Sequence, residues 1–274
     1  LTAQPVSPAL VLTALLLVWP LLFVAVLLTH LVLSLSKTPR RWRWISRLIN
    51  WNFAALVRAI LNIKITMEED RDRLESGGFF IVSNHLGYVD GIVLGSLFPV
   101  IYVSKKEVRG WPLIGQWTAL CGTIFIDRQR KDKIPLLVEE IARKLSQKAN
   151  VLVFPEGTST NGDRLLPFQS APFAAPLRAR AAILPVTLTY QSINHQPLTN
   201  DNRDCVYWYG DMEFSGHFWN LLAVRSIEVT VRIHPAIDTS DYRNDSSGRK
   251  ALSQASYDSI AGKGEMTEKR QAFS

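Results

Sequence analysis

From Ala9 to Leu35 the chain carries no formal charge: ALVLTALLLVWPLLFVAVLLTHLVLSL. About 20 apolar residues suffice for an α-helix to cross the hydrocarbon core of a bilayer, so this run is long enough. Pro20 interrupts it. A proline removes a backbone donor, and backbone exposed to lipid must still be satisfied. The run therefore either kinks and crosses or turns back as a re-entrant hairpin. A cleaved signal peptide would have a shorter apolar core preceded by basic residues, and Leu1 to Pro8 has none. Residues 1–36 are expected to form a membrane-anchoring helical segment.

Positive charge follows at once, as Lys37, Arg40, Arg41, Arg43 and Arg47. Basic residues beside a membrane segment mark its cytoplasmic side, so the body of the protein is expected there. Trp42, Trp44 and Trp51 suit the headgroup region, where an indole keeps one wet edge and one apolar face. Residues 37–66 thus read as a basic, Trp-rich helix lying on the membrane, its helical pattern running from Trp44 to Ile63. The whole chain has 31 Lys and Arg against 24 Asp and Glu. This local clustering beside lipid explains the excess better than nucleic acid does, and no nucleic-acid partner is expected. Cys121 and Cys205 are the only cysteines and sit in no CxxC or Cys/His cluster, which argues against a disulfide framework or a metal site.

Past Ile63, short apolar runs alternate with longer mixed segments. Phe79–Ser83, Val100–Val103, Thr123–Ile126, Val151–Phe154 and Ile183–Thr189 read as buried strands. Gly91–Leu97, Pro112–Leu120, Asp132–Lys148 and Ser170–Ala179 read as helices. The alternation predicts an α/β fold with a mixed, largely parallel sheet flanked by helices over residues 67–240. Val206–Tyr209 and Ile227–Ile233 read as later strands, the second half-exposed by its alternation. After Pro235 the chain turns polar, so Asp241–Gly248 reads as a loop and 241–274 as a tail.

Sites in such folds gather beyond the carboxyl ends of strands. His85 and Asp90 follow the first buried strand in the run Asn84-His85-Leu86-Gly87-Tyr88-Val89-Asp90. A histidine braced by a carboxylate is the arrangement for proton abstraction: the imidazole takes the proton, and the carboxylate fixes its tautomer. Of the 5 histidines only His85 has this spacing to an aspartate. Asp127-Arg128 follow a second strand, where an arginine fork suits a phosphate or carboxylate. Phe154-Pro155-Glu156-Gly157-Thr158-Ser159 follow a third, with Pro155 and Gly157 enforcing a sharp exit. Gly157 to Gly162 has the spacing of a phosphate loop, but Asp163 stands where lysine is required. No G-x-S-x-G or H-E-x-x-H occurs, against an α/β-hydrolase and a zinc protease.

The ordered blocks NHLGYVD, GTIFIDR, FPEGTS and Ile183-Leu184-Pro185-Val186 resemble those of the glycerolipid acyltransferase family, whose best-known bacterial members are 1-acylglycerol-3-phosphate acyltransferases. The resemblance covers roughly 79–189, in the family's order and spacing, behind an N-terminal membrane segment of the expected kind. It implies His85 as general base and Asp90 as its partner. It places the acceptor near Arg128 and the Glu156-Gly157-Thr158 turn, and Pro185 in the last block. One position departs. Many phosphatidate-forming members carry arginine directly after Glu-Gly-Thr, and this chain has Ser159. Lys105, Lys106, Arg128 or Arg164 are the candidates to replace that charge. A serine there also resembles the branch that acylates lyso-ornithine lipids.

The resemblance implies an O-acyltransferase at the cytoplasmic face of the inner membrane. Its co-substrate would be acyl-CoA or acyl-carrier protein, and it would need no cofactor and no metal. The expected acceptor is a lysolipid, lysophosphatidate first and lyso-ornithine lipid as the alternative. A lipid hydrolase using the same pair with water, and a non-catalytic membrane scaffold, are the rival readings.

Overall fold

The structure, a computed structural model, describes residues 41–68, 77–111, 114–127 and 130–262, together with 17, 21, 24–29, 31–33 and 35. Much of the apolar segment Ala9–Leu35 lies outside these residues, as do 37–40, Arg128 and 263–274.

Two-sided burial dictates the sheet. In β2 (Phe80–Ser83) every residue is buried, and so is every residue of β5 (Asn150–Val153). Phe80 and Val82 face one core together with Val151, Val153 and Ile183. Ile81 faces the other with Leu152 and Leu184. Strands covered on both faces read as near-continuous apolar runs, and the two polar exceptions, Ser83 and Asn150, stand at strand ends. The remaining strands are β1 (Ile63–Glu68), β3 (Val100–Lys105), β4 (Ile124–Ile126), β6 (Ile183–Ile193), β7 (Gln196–Pro197) and β8 (Ile227–Ile233). The 8-stranded sheet runs β1-β8-β6-β2-β5-β3-β4, with β7 attached to β6. β2 pairs in parallel with β5 and β6, and β3 in parallel with β5 and β4. β8 runs antiparallel to β6, and β1 parallel to β8. The mixed, largely parallel sheet expected from the sequence is present.

Helices cover both faces: α1 (Arg41–Ile45), α2 (Trp51–Ile60), α3 (Tyr88–Leu97), α4 (Ile114–Leu120), α5 (Ile134–Ser146), α6 (Ala174–Ala179), α7 (Phe214–Ala223) and α8 (Ser246–Ile260). On one face α5 buries Leu137, Val138, Ile141 and Leu145, and α8 adds Leu252 and Ile260. On the other lie Val89, Val93 and Leu94 of α3 and Leu221 of α7. Lys144 of α5 is 1% exposed, with its ammonium 2.9 Å from the ring centroid of Trp42 and 3.2 Å from the carbonyl of Gly122. Gly122, at φ 80°, leaves the Trp42 ring room that a Cβ would take. That slot docks α1 against the sheet.

Three expectations are corrected. The helix expected to Ile63 is α1 and α2 joined by a π-helical turn, Ser46–Asn50, and it ends at Ile60. Asn62 takes a left-handed φ of 49° and Ile63 opens β1, so residues 63–66 belong to the sheet. Val206–Tyr209 is no strand. Its amides go instead to Arg203 and Leu86: Val206 and Tyr207 donate to the Arg203 carbonyl, and Trp208 to that of Leu86. The polar stretch 241–274 is not simply a tail. Asp245 caps α8 by accepting from the amides of Ser247 and Gly248, and α8 packs into the core.

Candidate active site

The parallel register sets the site. Val82 of β2 lies beside Val153 of β5 and Pro185 of β6, so β2 and β5 release their chains at one level of the sheet while β6 runs on beside them. Asn84 extends the β2–β6 ladder past its last pair: its amide oxygen accepts the Leu188 N–H at 2.8 Å and its amide nitrogen donates to the Leu188 carbonyl at 3.0 Å.

His85 comes next. Its Nδ1 is 2.9 Å from Asp90 Oδ2. Asp90 is 1% exposed and sits in the first turn of α3, where a carboxylate also suits the helix dipole. It accepts from four donors: the amides of Leu86 at 2.6 Å and Gly87 at 2.9 Å, the Tyr190 hydroxyl at 2.9 Å and His85. An ionised carboxylate only accepts, so Nδ1 carries the proton and Nε2 is left with its lone pair. Among the described residues Nε2 has no hydrogen-bond partner, and the His85 side chain is 19% exposed. Its ring stacks on Phe154, centroids 4.0 Å apart and 11° from parallel. The arrangement presents an oriented, accessible base.

The third block and the residue just after it grip the backbone of His85 from both sides. Glu156 Oε1 accepts the His85 N–H at 2.7 Å, and the Thr160 N–H donates to the His85 carbonyl at 2.9 Å. The other Glu156 oxygen accepts from Leu166 N–H at 2.9 Å. Glu156 is 5% exposed, and burial raises its pKa against the pull of those two amides. Both oxygens are committed to backbone, so this carboxylate shapes the turn. Gly157, at φ 76°, closes that turn with its amide on the Phe154 carbonyl at 3.1 Å, and Thr158 is exposed beside it.

Lys105 ends β3, and its ammonium lies 4.9 Å from the centre of the Trp208 ring. Asp127 follows β4 at the sheet edge, two strands beyond β5, and pairs with Lys106 at 3.1 Å. The first and third blocks thus meet, and the second stands apart at the edge, with Arg128 outside the described residues. Among the described residues no three His, Cys, Asp or Glu side chains gather to hold a metal.

Sequence reasoning passed over Tyr190 and Trp208. Tyr190 is 3% exposed and lies one residue past the expected end of its strand. A tyrosine on a buried strand needs a partner for its hydroxyl, and that was the available signal. Trp208 lies in the segment mistaken for a strand.

A family model described as Acyltransferase matches residues 62–189. The lyso-ornithine lipid O-acyltransferase of Brucella abortus (strain 2308) is 31% identical over 238 residues, covering 81% of this chain and 86% of that protein. The 1-acyl-sn-glycerol-3-phosphate acyltransferase of Neisseria gonorrhoeae is 25% identical over 174 residues, 63% of this chain and 66% of that protein. The crystal structure of the 1-acyl-sn-glycerophosphate acyltransferase from Thermotoga maritima superposes with a TM-score of 0.57 at 15% identity, covering 85% of this chain and 82% of that one, a likeness of fold. The chain belongs to the acyltransferase family. It is an enzyme, an acyltransferase, as its four ordered blocks imply.

Proposed function

We propose that this enzyme transfers a fatty acyl group from acyl-CoA or acyl-carrier protein to the hydroxyl of lyso-ornithine lipid, with His85 as general base. The observation that carries the chemistry is the 2.9 Å contact of Nδ1 with Asp90, which leaves an unbonded Nε2 to take up a proton. Nε2 removes the hydroxyl proton. The oxygen attacks the thioester carbonyl, the C–S bond breaks, and the thiolate leaves with the proton returned from the imidazolium. No side-chain nucleophile is needed, so no acyl-enzyme forms.

Two observations support the acceptor. The relative named for lyso-ornithine lipid matches more of this chain, and at higher identity, than the one named for 1-acylglycerol-3-phosphate. Ser159 also stands where the resemblance expects a phosphate-binding arginine. Lysophosphatidate, the acceptor first expected from the sequence, fits that position less well.

The lipid acceptor supports a seat at the cytoplasmic face of the inner membrane. Among the described residues no helix is long and apolar enough to cross a membrane. The anchoring reading rests on the apolar run Ala9–Leu35 and the basic run behind it. Trp44, Leu48 and Trp51 lie exposed just beyond, at 45%, 52% and 38%, and suit contact with headgroups.

The test is thioester consumption by the full chain in mixed micelles, with lyso-ornithine lipid and lysophosphatidate side by side. New ester formed from the first acceptor is expected. Ester formed only from lysophosphatidate would reassign the acceptor, and free fatty acid without new ester would indicate a hydrolase.

A further inference from the structure

We propose that Trp208 is a positioning residue: it holds the Lys105 ammonium at the mouth of the site to receive the anionic headgroup of the acceptor. The nature of that anion, a carboxylate, rests on the acceptor proposed above.

The indole is fixed from several directions. The Trp208 N–H donates to the Leu86 carbonyl at 2.9 Å, one residue after the base. Gly87 makes this approach possible, since a Cβ there would lie 2.8 Å from Trp208 N. The indole Nε1–H donates to the Met212 carbonyl at 2.9 Å. Tyr88 and Phe214 set their rings edge-on to it, at 5.9 and 6.2 Å. The segment is held again by His217, whose Nε2–H donates to the Tyr207 carbonyl at 2.9 Å while Nδ1 accepts from the Tyr88 hydroxyl at 2.8 Å.

Onto this ring Lys105 lays its ammonium, 4.9 Å from the centroid. That is within the range of an attractive cation–π contact. The neighbouring cations are differently engaged. Lys106 pairs with Asp127 and Arg203 with Asp163, at 3.1 and 2.7 Å. Among the described residues no carboxylate lies within ion-pair distance of Lys105. An aromatic face orients an ammonium without neutralising it, so the charge stays available to an incoming anion. The same residue that orients Lys105 is bonded to the turn that carries His85, so base and cation share one support.

The test is a double-mutant cycle on the full chain, with acceptor varied at saturating donor and then the reverse. Trp208→Leu is expected to raise the acceptor KM about fivefold, the equivalent of roughly 1 kcal/mol, with kcat within about twofold. Trp208→Phe keeps a ring with a weaker face and the same backbone bond, and is expected to fall between. In a Lys105→Met background Trp208→Leu should add no further rise. An equal rise in both backgrounds, a shift in the donor KM instead, or a fall in kcat alone would overturn the role. Should Trp208→Leu not fold, Trp208→Phe carries the same cycle. Running it on whichever acceptor is turned over separates the two proposals: turnover of lysophosphatidate alone removes the carboxylate, and absent coupling removes Trp208.

Discussion

The Tyr190 hydroxyl donates to Asp90 Oδ1 at 2.9 Å, joining the strand of the fourth block to the helix start of the first. Tyr190 is wholly buried, and desolvation first, then the Asp90 charge, raises its pKa well above the usual phenol value. It therefore stays a donor across the working pH range. Tyr190→Phe should cost about 1.5–3 kcal/mol, the usual worth of a hydrogen bond to a charged partner. It should also lower kcat with little change in KM, because Asp90 then holds His85 less firmly. Thermal melts and steady-state kinetics check both, and an unaltered kcat would confine Tyr190 to stability.

His85→Ala should lower kcat by about 10²- to 10⁴-fold, the usual worth of a general base, with a loss of stability of the same order as Tyr190→Phe, since it too takes a hydrogen bond from the buried Asp90. Asp90→Asn should be comparably severe. Its amide cannot serve the four donors now gathered on the carboxylate, and a neutral partner no longer enforces the Nδ1–H tautomer. A folded His85→Ala protein with the parent rate would eliminate the mechanism.

Glu156→Gln separates a shaping role from an acceptor-binding one. An amide oxygen can accept from His85 or from Leu166, and its NH₂ then confronts the other amide. Leaving one buried donor unsatisfied costs about 1–3 kcal/mol. We expect a lower melting temperature and a lower kcat. A rise in acceptor KM alone would assign Glu156 to the acceptor instead.

Gly87→Ala probes the close approach of the Val206–Met212 segment. The backbone at Gly87 is extended, so any residue could adopt it, and the penalty is steric. A Cβ would meet Trp208 N at 2.8 Å and the Val206 carbonyl at 3.2 Å, both backbone atoms with little freedom to yield. Destabilisation of about 1–3 kcal/mol is expected. Denaturant unfolding measures it, and a change within error would show that the segment shifts freely.

Burial lowers the pKa of His217, which is engaged as a neutral ring by Tyr88 and Tyr207. The unfolded chain takes up a proton near the ordinary histidine value while the folded one resists. Its contribution to stability is thus present above about pH 6.5 and is lost as pH falls through the lowered folded value. His217→Gln can donate and accept in similar places without titrating. Its melting temperature should fall less than the parent's between pH 7 and pH 5. Parallel curves would discount His217 as a source of acid sensitivity.

Much of this architecture was legible in the sequence because β2, β5 and the start of β6 are covered on both faces and are apolar at every position but Ser83 and Asn150. β8 was legible for the opposite reason: it is half-covered and alternates. β1 alternates too, with Ile63, Ile65 and Met67 against Lys64, Thr66 and Glu68, but only Leu61 and Asn62 separate it from α2, and its first residues read as a continuation of the helix. α8 escaped because much of its buried side is Gly248, Ser253 and Ser256, small residues that leave no apolar stripe. At the site, the pairing of His85 with Asp90 could be anticipated from spacing. That Glu156 spends both oxygens on amides could not, because no pattern distinguishes a carboxylate facing backbone from one facing substrate.

The reversal of direction between β6 and β8 divides the molecule. β2, β3, β4, β5 and β6 point their carboxyl ends to one rim, where His85 stands. β8 runs against β6, and β1 follows β8, so their carboxyl ends emerge on the far rim. Chain added after either strand departs from the catalytic edge. A fluorophore or affinity handle for following turnover in bilayers belongs there, where its bulk stays clear of the thioester.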